Sequence, residues 1–163
     1  MKFTQMDLWM LGIFFPSEEE ETMFLEVLNE DFEIRMGYRI SARLECETQR
    51  ELSDSEFEAY IESWVMLNQT EARDLINDCM EEVRQDVLKY RAEIPGILTE
   101  LPEHLRSLPL DDMNLTVRSY HCLKGAGINT LGEVFDCEDL TAIPYIRKRN
   151  VEEILTSLSR MIR

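Results

Sequence analysis

The chain has 163 residues, 44% of them apolar, and carries 33 acidic against 17 basic side chains for a formal net charge of −16. This length and apolar share can build packed cores for one ordinary domain or two small ones, and they exclude a disordered or collagen-like chain. The longest apolar run, Leu8 to Phe15 broken by Gly12, is too short to cross a bilayer, and the residues before it lack the basic start of a secretory signal.

A cytoplasmic protein without a membrane segment is expected. Cys46, Cys79, Cys122 and Cys137 are widely spaced with no CxxC pair, so they read as reduced thiols, mostly in cores. With His104 and His121 as the two histidines, neither a metal nor a small-molecule cofactor is expected.

The charge is unevenly placed. Residues 1–100 hold 24 acidic and 9 basic side chains, whereas residues 101–163 hold 9 and 8. The change falls in IPGILTELPEHLRSLPLDD, where Pro95, Gly96, Pro102 and Pro109 interrupt helix. The expected organisation is therefore an acidic domain over 1–94, a proline-containing linker over 95–109 and a second domain over 110–163.

In sequence order, residues 6–15 predict a short apolar strand or helix. PSEEEETMFLEVLNED then opens a helix, with Ser17 as cap, Glu20 answering it three residues on, and four consecutive glutamates at the positive end of the helix dipole. From Phe32 to Cys46 every even position is apolar or small (Phe32, Ile34, Met36, Tyr38, Ile40, Ala42, Leu44, Cys46). Period two predicts a strand, bent or turned near Gly37, with Arg35, Arg39 and Arg43 as a basic stripe on its solvated face.

LSDSEFEAYIESWVMLNQ predicts a helix capped by Ser53 or Ser55 with Glu56 or Glu58 in reply, and with Phe57, Tyr60, Ile61, Trp64 and Val65 at core spacing. Another follows from Thr70, burying Leu75, Ile76, Cys79, Met80, Val83 and Val87. The N-terminal domain is thus expected to be α+β, a small sheet with two or three helices.

On the far side of the last helix stand Asp74, Asp78, Glu82 and Asp86, each four residues from the one before. Like charges at that spacing repel by a few tenths of a kcal/mol per pair, roughly. Repeating every ~6 Å along the axis, such a ladder can face a basic partner or imitate a phosphate backbone. A solvated face relieved by Arg84 and Lys89 is the plainer account. No nucleophile with its base and no phosphate-cradling glycine loop assembles in this half, so an enzyme is not expected.

From residue 110 on, Leu115, Val117, Leu123, Ile128, Leu131, Val134, Leu140, Ile143, Ile146, Val151, Ile154, Leu155 and Leu158 fall at spacings suited to short helices, with Thr116 and Thr130 as caps. An all-α module is expected. Two tight turns, Gly125 to Gly127 before TLGEV and IPYIRKR before VEEIL, each precede a helix. This is a helix-hairpin-helix arrangement, whose exposed amide hydrogens can bind backbone phosphate. Arg118 lies in the first turn of the first helix, and Arg147, Lys148 and Arg149 crowd the second hairpin.

LTVRSYHCLKGAGINTLGEVF followed by EDLTAIPYIRKRNVEEI resembles the C-terminal domain of the bacterial RNA polymerase alpha subunit, over residues 110–162. The resemblance implies two helix-hairpin-helix units that bind the minor groove of A·T-rich upstream DNA and contact activators. At matching positions, the arginine that enters the minor groove is Arg118, and the family's asparagine three residues on is His121. The glycine of the second hairpin is replaced by Arg147, its next-but-one lysine by Arg149 and the serine after that by Asn150. Cys122 falls where the family often has a core cysteine. Arg147 removes the room for close backbone approach, while arginine charge is added. Residues 1–100 do not resemble the alpha subunit's assembly domain.

The expected function is that of a non-enzymatic DNA-binding or transcription-associated protein. Its C-terminal module would contact A·T-rich double-stranded DNA through Arg118, His121, Arg147, Arg149 and Asn150. Its acidic domain would contact a protein such as RNA polymerase, a sigma factor or an activator. Two alternatives stand beside this: a protein-interaction module that has lost DNA binding, and an acidic DNA mimic that blocks a basic nucleic-acid-binding protein through Asp74, Asp78, Glu82 and Asp86.

Overall fold

A computed structural model describes residues 2–48 and 53–163, without the side chains of 44–48, 54, 57, 58 and 60–62. The expectations placed on Leu44, Glu45, Cys46, Phe57, Glu58, Tyr60 and Ile61 lie outside the described residues. Among the described residues every regular element is helical: α1 Gln5–Met10, α2 Glu18–Thr48, α3 Asp54–Leu67, α4 Gln69–Lys89, α5 Glu103–Arg106, α6 Val117–Gly125, α7 Leu131–Phe135 and α8 Lys148–Ile162. Short 3-10 turns occupy Arg91–Glu93, Leu110–Met113 and Leu140–Ala142. No described helix is long and apolar enough to cross a membrane.

The protein forms two compact units, one from Met1–Phe3 and Phe24–Tyr90, the other from Thr4–Met23 and Arg91–Arg163. In the first, the expected α+β domain is overturned: no sheet exists among the described residues, and α2 runs through the segment read as a strand. The even-position alternation conceals a spacing of four. Leu28, Phe32 and Ile40 are buried, and Met36 packs against the core of Ile40, Trp64 and Ala72. Ile34 and Tyr38, members of the same even series, are 51% and 75% exposed. Four residues of α-helix turn about 400°, so positions four apart share a face, whereas positions two apart point about 160° away from each other. Alternation in a strand and a four-residue stripe with apolar outliers give the same string.

The spacing also explains the arginines. Arg35, Arg39 and Arg43 project from one side of α2 to carboxylates of α4: Arg35 to Asp86 at 2.7 Å, Arg43 to Glu71 at 2.8 Å, and Arg39 to Glu82. The α2 and α4 helices are therefore tied by a ladder of half-exposed ion pairs over an apolar seam that includes the buried Cys79, Met80, Val83 and Val87. Burial pushes the Cys79 thiol up, as suits an inert core thiol. The N-terminus is pinned to α2 as well. Phe3 N donates to Asn29 Oδ1 at 2.7 Å, Asn29 Nδ2 donates back to Phe3 O at 3.1 Å, and the Phe3 ring packs edge-on to Phe32.

In the second unit, Thr4 and Asp7 cap α1, which buries Leu8 and Trp9 and packs on α8. Gly12 then turns the backbone at φ +68, and Ile13, Phe14 and Phe15 are also buried. Leu98 N donates to Phe14 O at 2.8 Å, and the Phe14 ring meets that of Phe135 on α7. Glu21, 1% exposed, accepts hydrogen bonds from Trp9 Nε1 at 2.9 Å and Arg163 Nη2 at 2.6 Å. One carboxylate thus joins the early segment to the last residue of the sequence. The remaining core gathers Leu110, Met113, Leu123, Leu131, Val134, Ile154 and Leu158. At α7, Gly132 lies so close to the Arg106 backbone that a Cβ would stand 3.0 Å from its carbonyl oxygen.

Candidate nucleic-acid interface

The first hairpin is built by local chemistry. Thr116 caps α6, and the carboxylate of Glu153, reaching over from α8, accepts from Thr116 N, from Thr116 Oγ1 at 2.9 Å and from Ser119 Oγ at 2.6 Å. Partial burial alone would raise the Glu153 pKa. The three donated hydrogen bonds and the charge of Arg149 outweigh it and hold the carboxyl below its ordinary value. The helix ends in a left-handed glycine cap: Gly127 takes φ +83, its N–H bonds to Lys124 O, and Ile128 N bonds to Leu123 O. Thr130 then caps α7 in a reciprocal pair with Glu133, whose carboxyl is held below its ordinary value by the Asn129 and Thr130 amides.

The second hairpin turns at Ile143–Ile146, where Ile146 N donates to Ile143 O at 3.2 Å and Tyr145 takes φ +66. The α8 helix follows directly. Its first amides have no acceptor inside the helix, which leaves a positive helix end beside Arg147, Lys148 and Arg149. Arg147 itself has extended backbone, φ −116 and ψ 161, which any residue adopts.

The structure brings Arg118 and His121 together on consecutive turns of α6, both exposed, along a groove completed by Cys122, Gly125, Pro144 and Tyr145. Arg118 Nη2 donates to Tyr145 O at 3.2 Å, linking the two hairpins. Arg147 and Arg149 are exposed at the start of α8. Asn150 lies elsewhere: it is buried, its Oδ1 accepts from Arg147 N at 3.2 Å, and its Nδ2 donates to Ser119 Oγ at 3.0 Å. In the first unit, Asp74 and Asp78 are exposed, whereas Glu82 and Asp86 are already paired with Arg39 and Arg35.

Three residues that shape this surface carried no sequence assignment. Glu153 and Ser119 act through contacts between distant segments, which no local pattern announces. Tyr145 had a signal, since a proline followed by a bulky residue in a tight turn conflicts with the glycine or asparagine preferred there.

Two hairpin turns with exposed cations, the second opening the 15-residue α8, make residues 110–162 a small all-α module of helix-hairpin-helix type. Residues 99–160 match the family described as the C-terminal domain of the bacterial RNA polymerase alpha chain. The DNA-directed RNA polymerase subunit alpha of Carboxydothermus hydrogenoformans is 41% identical over 61 residues, which cover 36% of the present sequence and 20% of that protein. The same subunit from Acidothermus cellulolyticus is 46% identical over 57 residues, 34% of the present sequence and 17% of the relative. That from Synechococcus sp. is 37% identical over 71 residues, 42% and 22% respectively. The protein thus spans about a fifth of the length of the curated relatives it matches. No solved structure matches it.

Proposed function

We propose that this is a non-enzymatic, DNA-binding protein associated with transcription, whose C-terminal module docks in the minor groove of A·T-rich duplex DNA. The observation that carries this reading is Arg118, an exposed guanidinium beside His121 and the second hairpin in a segment that matches the alpha subunit family. A narrow A·T-rich minor groove concentrates negative potential and attracts an inserted arginine. Arg147, Arg149 and the N-terminal amides of α8 are suited to flanking phosphates. Asn150 supports the interface from beneath, by orienting Arg147 and Ser119.

Affinity should be modest, because few cations are involved and residues 1–100 carry a large excess of acid. The acidic unit is suited to a basic surface on a transcription partner such as RNA polymerase, a sigma factor or an activator, with Asp74 and Asp78 exposed for it. A second reading, a protein-interaction module without DNA binding, draws on Arg147 standing where the resemblance expects glycine.

Fluorescence anisotropy of an A·T-rich duplex titrated with the 163-residue chain tests the choice. The expected result is binding that weakens with salt and falls by about tenfold or more in Arg118→Ala, the loss of one well-placed charged contact. Absence of binding even at low salt would overturn the DNA reading and turn attention to a protein partner.

A further inference from the structure

Among the described residues, five positions take left-handed backbone, and four of them carry residues that tolerate it: Gly12, Gly96, Gly127 and Asn114. The fifth is Tyr145, at φ +66. It follows Pro144 in a turn closed by Ile146 N donating to Ile143 O, where proline at the second position and a left-handed third position call for glycine or asparagine. A bulky side chain held there strains the backbone, and such strain persists where something outside the local fold repays it. Packing does not repay it, because Tyr145 is 85% exposed. The bond from Arg118 does not either: it goes to the Tyr145 carbonyl, which any residue would supply.

Resting on the DNA-binding reading above, we propose that Tyr145 is a specificity-determining contact of the same interface. Tyr145 lines the same groove as Arg118 and His121, and its exposed side chain enters the minor groove alongside the guanidinium. There an aromatic face packs against deoxyribose and the edges of A·T pairs. A G·C pair presents the guanine N2 amino group into the minor groove, which blocks flush approach of a flat ring. Tyr145 therefore favours A·T by fit, while Arg118 favours it by potential.

The test uses the 163-residue chain as wild type, Tyr145→Gly, Tyr145→Phe and Arg118→Ala, titrated against A·T-rich and G·C-rich duplexes, with a thermal melt of each variant. Tyr145→Gly should melt higher than wild type yet bind the A·T-rich duplex about tenfold more weakly, with reduced discrimination against G·C and an unchanged salt dependence. Tyr145→Phe should retain affinity. A Tyr145→Gly protein that binds and discriminates like wild type, while Arg118→Ala loses binding, would overturn this proposal and leave the DNA reading standing. Wild type binding neither duplex would overturn both.

Discussion

Glu153 and Asn150 are the polar side chains of α8 that hold α6 in position, and each makes a separate prediction. The Glu153 carboxyl lies below its ordinary value of 4.5 in the folded protein. A depressed folded-state pKa contributes stability that is present above the unfolded value and disappears as pH falls through the folded one. The melting temperature should therefore fall as the pH drops below about 4.5, and Glu153→Gln should lessen that fall at the expense of stability near neutrality. Thermal melts of wild type and Glu153→Gln carried from neutral pH to well below 4.5 would check this; identical acid profiles would contradict it. For Asn150→Ala, the Arg147 N–H and Ser119 Oγ lose buried partners, a cost of about 1–3 kcal/mol readable by denaturant unfolding. At this scale the place of Arg118 was legible, in the first turn of a helix capped by Thr116, where it is exposed. The sequence read Asn150 as a DNA contact, whereas the side chain is buried and bonded to Arg147 and Ser119, because a polar residue three positions into a helix can serve the cap inward as readily as a ligand outward.

At the scale of elements, caps were legible and periods were less so. Ser17 with Glu20, Ser53 with Glu56, and Thr130 with Glu133 all form the side-chain-to-backbone bonds expected of helix starts. The reading of 32–46 as a strand failed because apolar outliers, Ile34 and Tyr38, filled the gaps of a four-residue stripe. The three arginines four apart held the helical period all along, and their ion pairs with α4 record it. Gly37, read as a strand bend, instead sits inside α2, and a Cβ built on it meets nothing within 4 Å. Gly37→Ala should therefore stabilise the first unit by about 0.5–1 kcal/mol, because alanine leaves the unfolded state less backbone freedom to lose. A denaturant midpoint that falls instead would show that this face of α2 is occupied.

For the whole molecule, the charge shift near residue 100 is plain in the sequence, but the membership of residues 4–23 in the second unit is not. That membership depends on Trp9, Glu21 and Arg163, and the Glu21 to Arg163 pair spans 142 positions, a separation that no local window covers. Glu21→Leu should destabilise the second unit by about 1–3 kcal/mol, since the Trp9 N–H loses its buried acceptor even though Arg163 can turn to water. Hydrogen exchange at α8 would register the change, and unaltered protection there would contradict the role given to this carboxylate.

If the protein works on DNA as proposed, the hairpin face of α6 and α8 makes the contact and the acidic face of α4 does not. Backbone amide chemical-shift mapping of the labelled 163-residue chain, titrated with an A·T-rich duplex at low salt, tests this most directly. Shifts should concentrate at residues 117–126 and 144–150, with Asp74 to Asp86 unmoved. Shifts confined to α2 and α4, or none in α6 and α8 at saturating duplex, would contradict it.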